Sequence, residues 1–576
     1  MRYLVLATDY DGTIAKHGHV DAAVWPAIRR LRESGRKAVL VTGREIEDLQ
    51  AICPHLEMFA HVVAENGAVT YCPRTRDVRN LTTPPAPEFA RALKELGVAP
   101  LSVGHVIVAT AKPHEAEVLK TINEMGLELQ VIFNQDAVMV LPSGVNKATG
   151  LIAALKELGY SPHNTVAIGD AENDHALLSA CECGAAVGNA IPALKDRADL
   201  VMSGSDGTAV MELIDRLLAD DLVSVAPRLH RHDILLGTNA SGGEERIAPH
   251  GQTILVAGTS GSGKSTLTAG FLERLNDARY QFAVIDPEGD YPALPDTVVL
   301  GSAERAPVIE EVLNVLSAGR NAIINLVGIP LADRPGVFDQ MFHRLIELRS
   351  RTGHPHWIAV DETHHLMPPS WSPGADRMPS RLHGLVMITV HAARVSRRML
   401  DAVDLVLAVG QEPEKTLTEF GTTRQLPVPV VSPVVLGNGE ALAYRVTSGA
   451  PAFKLTWALP RSERRRHRRK YAEGRLPDER AFVFRGPRGK LHLRAYNLMT
   501  FLELAAGVDD ATWLHHLKSG EYAKWMRESI KDEELARDLE AVQTKYPKDA
   551  AASRAAVRKA VELRYTLPSG EPSGVG

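Results

Sequence analysis

The chain has 576 residues, 45% apolar and 23% charged, an ordinary globular composition at a length that holds several domains. A formal net charge of −5 and a pI near 6.5 give no global reason to expect a nucleic-acid binder, so only a local patch could argue for one. The four cysteines, Cys53, Cys72, Cys181 and Cys183, make neither a zinc spacing nor a disulfide framework and read as buried thiols of a reducing compartment.

The first apolar stretch is too short for a signal-peptide core, and no run of about 18 apolar residues occurs, so a cytoplasmic protein with no membrane partner is expected. Residues 3–7 read as a buried parallel strand that delivers Asp9-Tyr10-Asp11-Gly12-Thr13 at its C-terminal end, where open α/β sheets place their chemistry. A helix over about 20–34 leads to a second strand, Lys37 to Val41, which ends in Thr42-Gly43-Arg44. A third, Thr165 to Ile168, ends in Gly169-Asp170-Ala171-Glu172-Asn173-Asp174, and Lys147 opens the helix 148–158 ahead of it. Taken singly each piece is weak, because an Asp-x-Asp after a strand is more often a solvated loop than a catalytic pair.

In this order DYDGT, VTGR, a lysine and GDAEND resemble the four motifs of the haloacid dehalogenase-like phosphatases, over about residues 1–218. The resemblance implies Asp9 as nucleophile, forming an aspartyl-phosphate. Asp11, two residues on and on the same side of the strand by its period of two, would be general acid and then base. Thr42 and the Gly43 amide would hold the phosphoryl oxygens and Lys147 would neutralise them. Asp9, the Asp11 backbone carbonyl and Asp170 would bind Mg²⁺, with Asn173 and Asp174 orienting that shell and Lys147. An insert over about 83–141, with helix-like runs at 87–96 and 114–125 and strand-like runs at 105–109, 129–133 and 137–141, is similar to the cap of the Cof-type branch. Members of that branch mostly act on sugar phosphates and other small esters, and a cap excludes water and selects the substrate. His105, Lys112, His114 and Asn134 are candidates to face the site, although solvated surface is the commoner role for such residues.

After a helix over 208–218 the pattern loosens through 219–227, which marks a boundary, and 232–249 reads as a small β-element. The strand Thr253 to Ala257 then runs into GTSGSGKST, which fits G-x-x-x-x-G-K-[ST]. Backbone amides of such a turn, with Gly258, Gly261 and Gly263, wrap a β-phosphate. Lys264 reaches the β/γ-phosphates, and Ser265, next to Thr266 at the helix start, ligates Mg²⁺. A strand over 282–285 ends in Asp286-Pro287-Glu288, and one over 357–360 ends in Asp361-Glu362, the first suited to the Mg²⁺ shell and the second to polarising water. Together these segments look like the HerA/FtsK branch of P-loop ATPases over about 228–450, which implies ATP as ligand and a homo-oligomer, a hexameric ring that in many members pumps DNA. One departure is that the strand over 387–390 leads to His391 where that branch usually has a polar sensor, commonly glutamine; His391 is the candidate substitute. Arg394, Arg397 and Arg398 follow on one expected helix, each an arginine-finger candidate or part of a solvated face.

Arg461, Arg464, Arg465, Arg466, Arg468, Arg469 and Lys470 form a basic run, a solvated linker or a nucleic-acid contact. Helices are expected over 498–507, 511–519, 522–542 and 550–565, with Trp513 and Trp525 in their core, and a disordered tail over 568–576. The expected fold class is α/β. It comprises a haloacid dehalogenase Rossmann-like core (1–82 and 142–220) with an α+β cap (83–141), a RecA/HerA-like P-loop ATPase domain (221–460), and a basic linker with a small α-helical C-terminal domain (461–567). The expected function is a Mg²⁺-dependent phosphatase on a small phosphate ester, fused to an ATP-hydrolysing ATPase. A nucleic-acid translocase or defence module with a phosphatase effector, and a bifunctional kinase-phosphatase, are the alternatives. Glu362 beside Asp361 favours water as acceptor over a kinase.

Overall fold

Val5–Asp9, Lys37–Val41 and Thr165–Gly169 are continuous buried runs, the pattern of strands covered on both faces, and they pair in parallel at the centre of an eight-stranded sheet. The computed structural model describes the chain except 135, 260, 290, 292–293, 295, 372–381, 426–432, 447, 449, 462–475, 477–479, 488, 490, 531 and 566–576. The basic residues 464–470 and the tail 568–576 therefore lie outside the described residues. In the first sheet the strand order is Leu200–Val201, Cys183–Ala186, Thr165–Gly169, Val5–Asp9, Lys37–Val41, His61–Ala64, Val69–Cys72, Asp77–Asn80, the last two antiparallel. The first helix starts at Val24, because His19–Val20 pairs with Ala15–Lys16 as a small antiparallel ribbon.

The insert is an α+β cap. Its four antiparallel strands run in the order Leu129–Asn134, Ala137–Pro142, Val108–Ala111, Leu101–Val103. The helices Pro87–Glu95 and Glu115–Glu124 bury Phe89, Leu93, Val118 and Ile122 against Val108, Val138 and Val140. The strand expected over 105–109 is instead a hairpin: Leu101–Val103 and Val108–Ala111 are the strands, and the residues between them turn. The reason lies outside the insert, in a carboxylate of the core that takes up the backbone amides of that turn.

An eleven-stranded sheet follows. Seven parallel strands in the order Leu405–Val409, Thr253–Gly258, Leu385–Thr389, Trp357–Val360, Phe282–Asp286, Asn321–Asn325, Thr297–Leu300 are extended by four antiparallel ones, Glu440–Arg445, Phe453–Trp457, Ile234–Asn239 and Glu244–Ile247. The small β-element thus belongs to this sheet. Arg394 sits on a single 3-10 turn, Ala392–Arg394, and Arg397 and Arg398 open a separate helix, Arg397–Asp401. The one expected helix is broken because Val395 adopts extended backbone and Ser396 is also non-helical, and both are buried.

The chain divides into two compact units, Met1–Ala458 and Leu459–Gly576. In the second, Trp513 and Trp525 are buried among Phe482, Phe484, Phe501 and Tyr522. The helix expected over 522–542 is two, Glu521–Glu528 and Glu533–Lys545, since Asp532 caps the second by accepting from the Leu535 amide at 2.8 Å. A hairpin of Phe482–Phe484 and Leu493–Ala495 adds strand to what reads as purely helical. Among the described residues no helix is long and apolar enough to cross a membrane.

Candidate active sites

Asn146 fixes the start of the helix Lys147–Leu158: its side chain accepts from the amides of Ala148 and Thr149, and Thr149 returns a bond to the Asn146 amide. Lys147 thereby leaves the first turn toward the end of the central strand. Its Nζ lies 2.5 Å from Asp9 Oδ1, 2.6 Å from Asp174 Oδ1 and 3.3 Å from Asn173 Oδ1. Lys147, Asp9 and Asp174 are all buried. The second oxygen of Asp174 accepts the amides of Asp170 and Ala171, and Asp170 accepts the Thr13 hydroxyl at 3.1 Å. Asn173 is held by Asn66 at 3.1 Å. Asp9 of the first motif, Lys147 of the third and Asp170, Asn173 and Asp174 of the fourth are therefore brought to one point.

The electrostatics of this point are those of too few cations. Burial, with Asp174 next, raises the Asp9 carboxyl well above its ordinary range, Lys147 opposing. Burial and Asp174 push Asp170 up to about 6. Lys147 is raised despite its burial because Asp174 and Asp9 hold its proton. Carboxylate oxygens of Asp9, Asp170 and Asp174 lie within 4.8 Å of one another, so an oxygen-only, under-compensated set faces a single lysine, which fits a hard dication.

Asp11 departs from the expected alternation. It lies past the end of the strand, where a period of two no longer sets direction, and its carboxylate turns to Arg44, whose Nε and Nη2 donate at 2.6 and 2.9 Å. Arg44 also donates to Asp48 at 2.5 Å. Asp9, Asp11, Thr42 and Gly43 still border one cavity of about 440 Å³, closed by Ser102, Ile107, Ala109, Asn134, Ala137 and Met139 of the cap. Of the four cap candidates Asn134 lines it. His105 is turned to Glu47 at 2.9 Å and His114 to the Ala99 carbonyl at 3.1 Å, and neither lines it, nor does Lys112.

In the second sheet Gly258 ends the strand Thr253–Gly258 at φ +152°, and a Cβ there would lie 2.0 Å from the Val409 carbonyl oxygen, a close approach that only glycine permits. Lys264, first residue of the helix Lys264–Asp277, donates to the carbonyls of Gly258 and Thr259, both at 2.9 Å. Burial lowers its pKa, opposed by the charges of Glu362, Asp361 and Glu288. Glu362 takes a left-handed backbone, φ +43°, sparsely populated for such a residue and of the kind found at functional sites. Its amide donates to Asp361 Oδ1 at 2.8 Å.

Two residues that sequence reasoning passed over join this site. His364 Nδ1 is 3.3 Å from Glu362 Oε2 and 3.2 Å from the hydroxyl of Thr389, the buried last residue of the strand next to that of Gly258. The His391 side chain is exposed two residues further on. Burial, with His365 and His391 next, pushes His364 down to about 4, so its ring is neutral at physiological pH. The signal available was the histidine following Asp361-Glu362-Thr363; what it touches was not readable.

Residues 6–112 and 100–214 match the family model of the haloacid dehalogenase-like hydrolases, and residues 251–341 match that of the helicase HerA central domain. Phosphoglycolate phosphatase 2 of Saccharolobus solfataricus is 28% identical over 228 residues, which cover 38% of this chain and 93% of that protein. The phosphoglycolate phosphatases of Natronomonas pharaonis and Methanoculleus marisnigri are 31% and 30% identical, each over 37% of this chain and over 96% and 95% of their own lengths. The chain belongs, through residues 6–214, to the haloacid dehalogenase-like hydrolases, as a phosphohydrolase that also carries a HerA-type central domain.

Proposed function

We propose that the first site is a Mg²⁺-dependent phosphatase acting on a small phosphate ester through an aspartyl-phosphate, and that the second hydrolyses ATP. The observation that carries the first part is Lys147, whose ammonium bridges Asp9 and Asp174 at 2.5 and 2.6 Å in a buried site. It keeps one oxygen of Asp9 paired and leaves the other to attack phosphorus. In the first step a carboxylate oxygen of Asp9 bonds to phosphorus, the ester P–O bond breaks, and the leaving oxygen takes a proton from Asp11. In the second Asp11 takes a proton from water, the hydroxide bonds to phosphorus, and phosphate leaves with Asp9 restored. Both oxygens of Asp11 accept from Arg44 at the rim of the cavity, so Asp11 has to exchange that pairing for the leaving oxygen before it can act as the acid.

Asp9, Asp170 and the Asp11 carbonyl, with Asp174 behind them, would hold Mg²⁺, which when bound supplies charge to offset that developing on the phosphoryl oxygens. The names of these relatives make a two-carbon carboxylated phosphate the first ester to try, and the cavity of about 440 Å³ accommodates larger ones. For the second site, Lys264, Asp361 and Glu362 around the turn after Gly258, within a HerA-type domain, support ATP as ligand and water as acceptor. That domain also supports a ring of six, with Arg394, Arg397 and Arg398 all exposed as finger candidates.

The test is Asp9→Asn in the full chain. Turnover of p-nitrophenyl phosphate and of phosphoglycolate is expected to vanish while ATP hydrolysis persists; turnover equal to the parent's refutes the nucleophile.

A further inference from the structure

Within the unit Met1–Ala458, the two sheets meet at a group of side chains that neither site uses. His163 precedes the strand Thr165–Gly169, and Glu182 precedes Cys183–Ala186, both in the phosphatase core. His232 precedes Ile234–Asn239, and His250 lies shortly before the strand Thr253–Gly258, so both belong to the second sheet. One ligand atom each of His163, Glu182 and His232 lie within 4.8 Å of one another. His163 Nδ1 is 2.8 Å from Glu182 Oε2, and His250 Nε2 is 3.5 Å from Glu182 Oε1.

The hydrogen bonds of this group leave one of its nitrogens poorly served. His163 Nδ1 faces the Glu182 carboxylate and Nε2 the Ala278 carbonyl, each at 2.8 Å. His250 Nε2 is buried at 3.5 Å from Glu182 Oε1, the long limit of a hydrogen bond. A cation between them gives that nitrogen a better target, while His163 keeps Nε2–H on Ala278 and turns the Nδ1 lone pair inward. The surroundings are those of metal-bound imidazoles, whose second nitrogen commonly donates to a backbone carbonyl. His163 has the Ala278 oxygen, and His232 Nε2 has the Cys181 oxygen at 3.2 Å. Glu182 is braced by Tyr280 Oη and Arg2 Nη2, each donating at 2.6 Å.

We propose that His163, Glu182 and His232, with His250 as the fourth ligand, bind one structural Zn²⁺ that staples the phosphatase core to the ATPase sheet. Three imidazoles and one carboxylate suit a tetrahedral, borderline-soft ion better than Mg²⁺, so the site is chemically distinct from the aspartate set around Lys147.

The experiment uses the full-length protein, stripped with a chelator, dialysed into Mg²⁺ buffer and titrated with Zn²⁺ and, as a spectroscopic probe, Co²⁺. The expected result is one tightly held Zn²⁺ per chain, a tetrahedral Co²⁺ absorption band and a Zn²⁺-dependent rise in Tm. Glu182→Gln and His232→Ala are expected to lose all three, and His250→Ala to weaken affinity about tenfold or more, whereas Asp9→Asn and His365→Ala retain them. His232 is only half-buried, so its variant keeps the test informative where Glu182→Gln disturbs folding. Absence of stoichiometric Zn²⁺ and of the Co²⁺ band in the parent overturns the proposal. So does binding that survives in His232→Ala or is lost in His365→Ala, where the imidazoles beside Glu362 would be the true ligands.

Discussion

Glu65 of the phosphatase core accepts the backbone amide of Val106 of the cap at 2.7 Å. The same carboxylate takes the amides of His105 and Ile107 at 2.8 and 2.7 Å, so one buried side chain occupies the turn between two cap strands. Glu65 adopts φ +50° to reach it, and a Cβ at Gly104 would lie 2.7 Å from its Oε1, so the turn has no room for a larger residue. The turn delivers Ile107, and the strands on either side Ser102 and Ala109, to the cavity wall. Glu65→Gln replaces one accepting oxygen by a donor facing amides. With charge-assisted bonds worth about 1.5–3 kcal/mol each, kcat/KM for the selected ester is expected to fall about 10- to 100-fold, mainly through KM. Turnover of p-nitrophenyl phosphate, which needs less of the cap, is expected to fall less; an equal loss on both, with kcat alone affected, refutes the positioning role.

Lys147→Met leaves Asp9 and Asp174 buried beside each other without their cation. Removing one partner of a buried ion pair costs about 3–5 kcal/mol, and that loss is expected in denaturant melts of the N-terminal transition without Mg²⁺, together with loss of phosphatase turnover. A variant as stable as the parent would show that Lys147 is not the group holding these carboxylates together.

A chain ended after Ala458 is expected to keep both activities, because the strands of both sheets and their cores close within Met1–Ala458. Phosphate release from each substrate, and the melting of the remaining transition, are the measurements. Loss of the phosphatase on truncation would overturn the reading of the C-terminal unit as separable.

What was legible in the sequence is what chemistry ties to short spacing. Asp9, Lys147 and Asp170 to Asp174 each sit at a strand or helix end marked by apolar runs, and Gly258 to Ser265 is a contiguous motif whose glycine is demanded by the Val409 carbonyl. Contacts between residues far apart in the chain were not legible. Glu65 and its turn are 40 residues apart, His364 and Thr389 are 25 apart, and His163 reaches Ala278 over 115. The strand expected over 105–109 fails for the same reason, since its apolar residues are real but the amides at 105–107 are bonded by a distant carboxylate. The break between the two helices after Tyr522 was readable: Asp532 followed by Glu533 and Glu534 is an N-terminal signature that apolar periodicity alone overrides.

The second site separates hydrolysis from phosphoryl transfer to another acceptor. If Glu362 orients water, Glu362→Gln keeps the shape and leaves ATP binding through Lys264 and Ser265 intact, while hydrolysis falls about 10²- to 10⁴-fold, the usual contribution of a positioned general base. Lys264→Ala, by contrast, removes the charge facing the β/γ-phosphates and is expected to weaken ATP binding itself. His364 stands between Glu362 and Thr389 at 3.3 and 3.2 Å, so His364→Ala frees the carboxylate to leave its position; kcat is expected to fall about tenfold with KM little changed. Because burial pushes His364 down to about 4, its ring stays neutral well above that pH, and removing it is expected to leave the pH profile near neutrality unchanged in shape. The measurement is ATP binding and phosphate release for the parent and the three variants, with labelled γ-phosphate followed onto sugars and nucleic-acid ends. Label that reaches such an acceptor faster than it appears as free phosphate replaces the ATPase reading with a kinase. Phosphatase turnover that changes in Glu362→Gln or Lys264→Ala shows that the two sites are coupled.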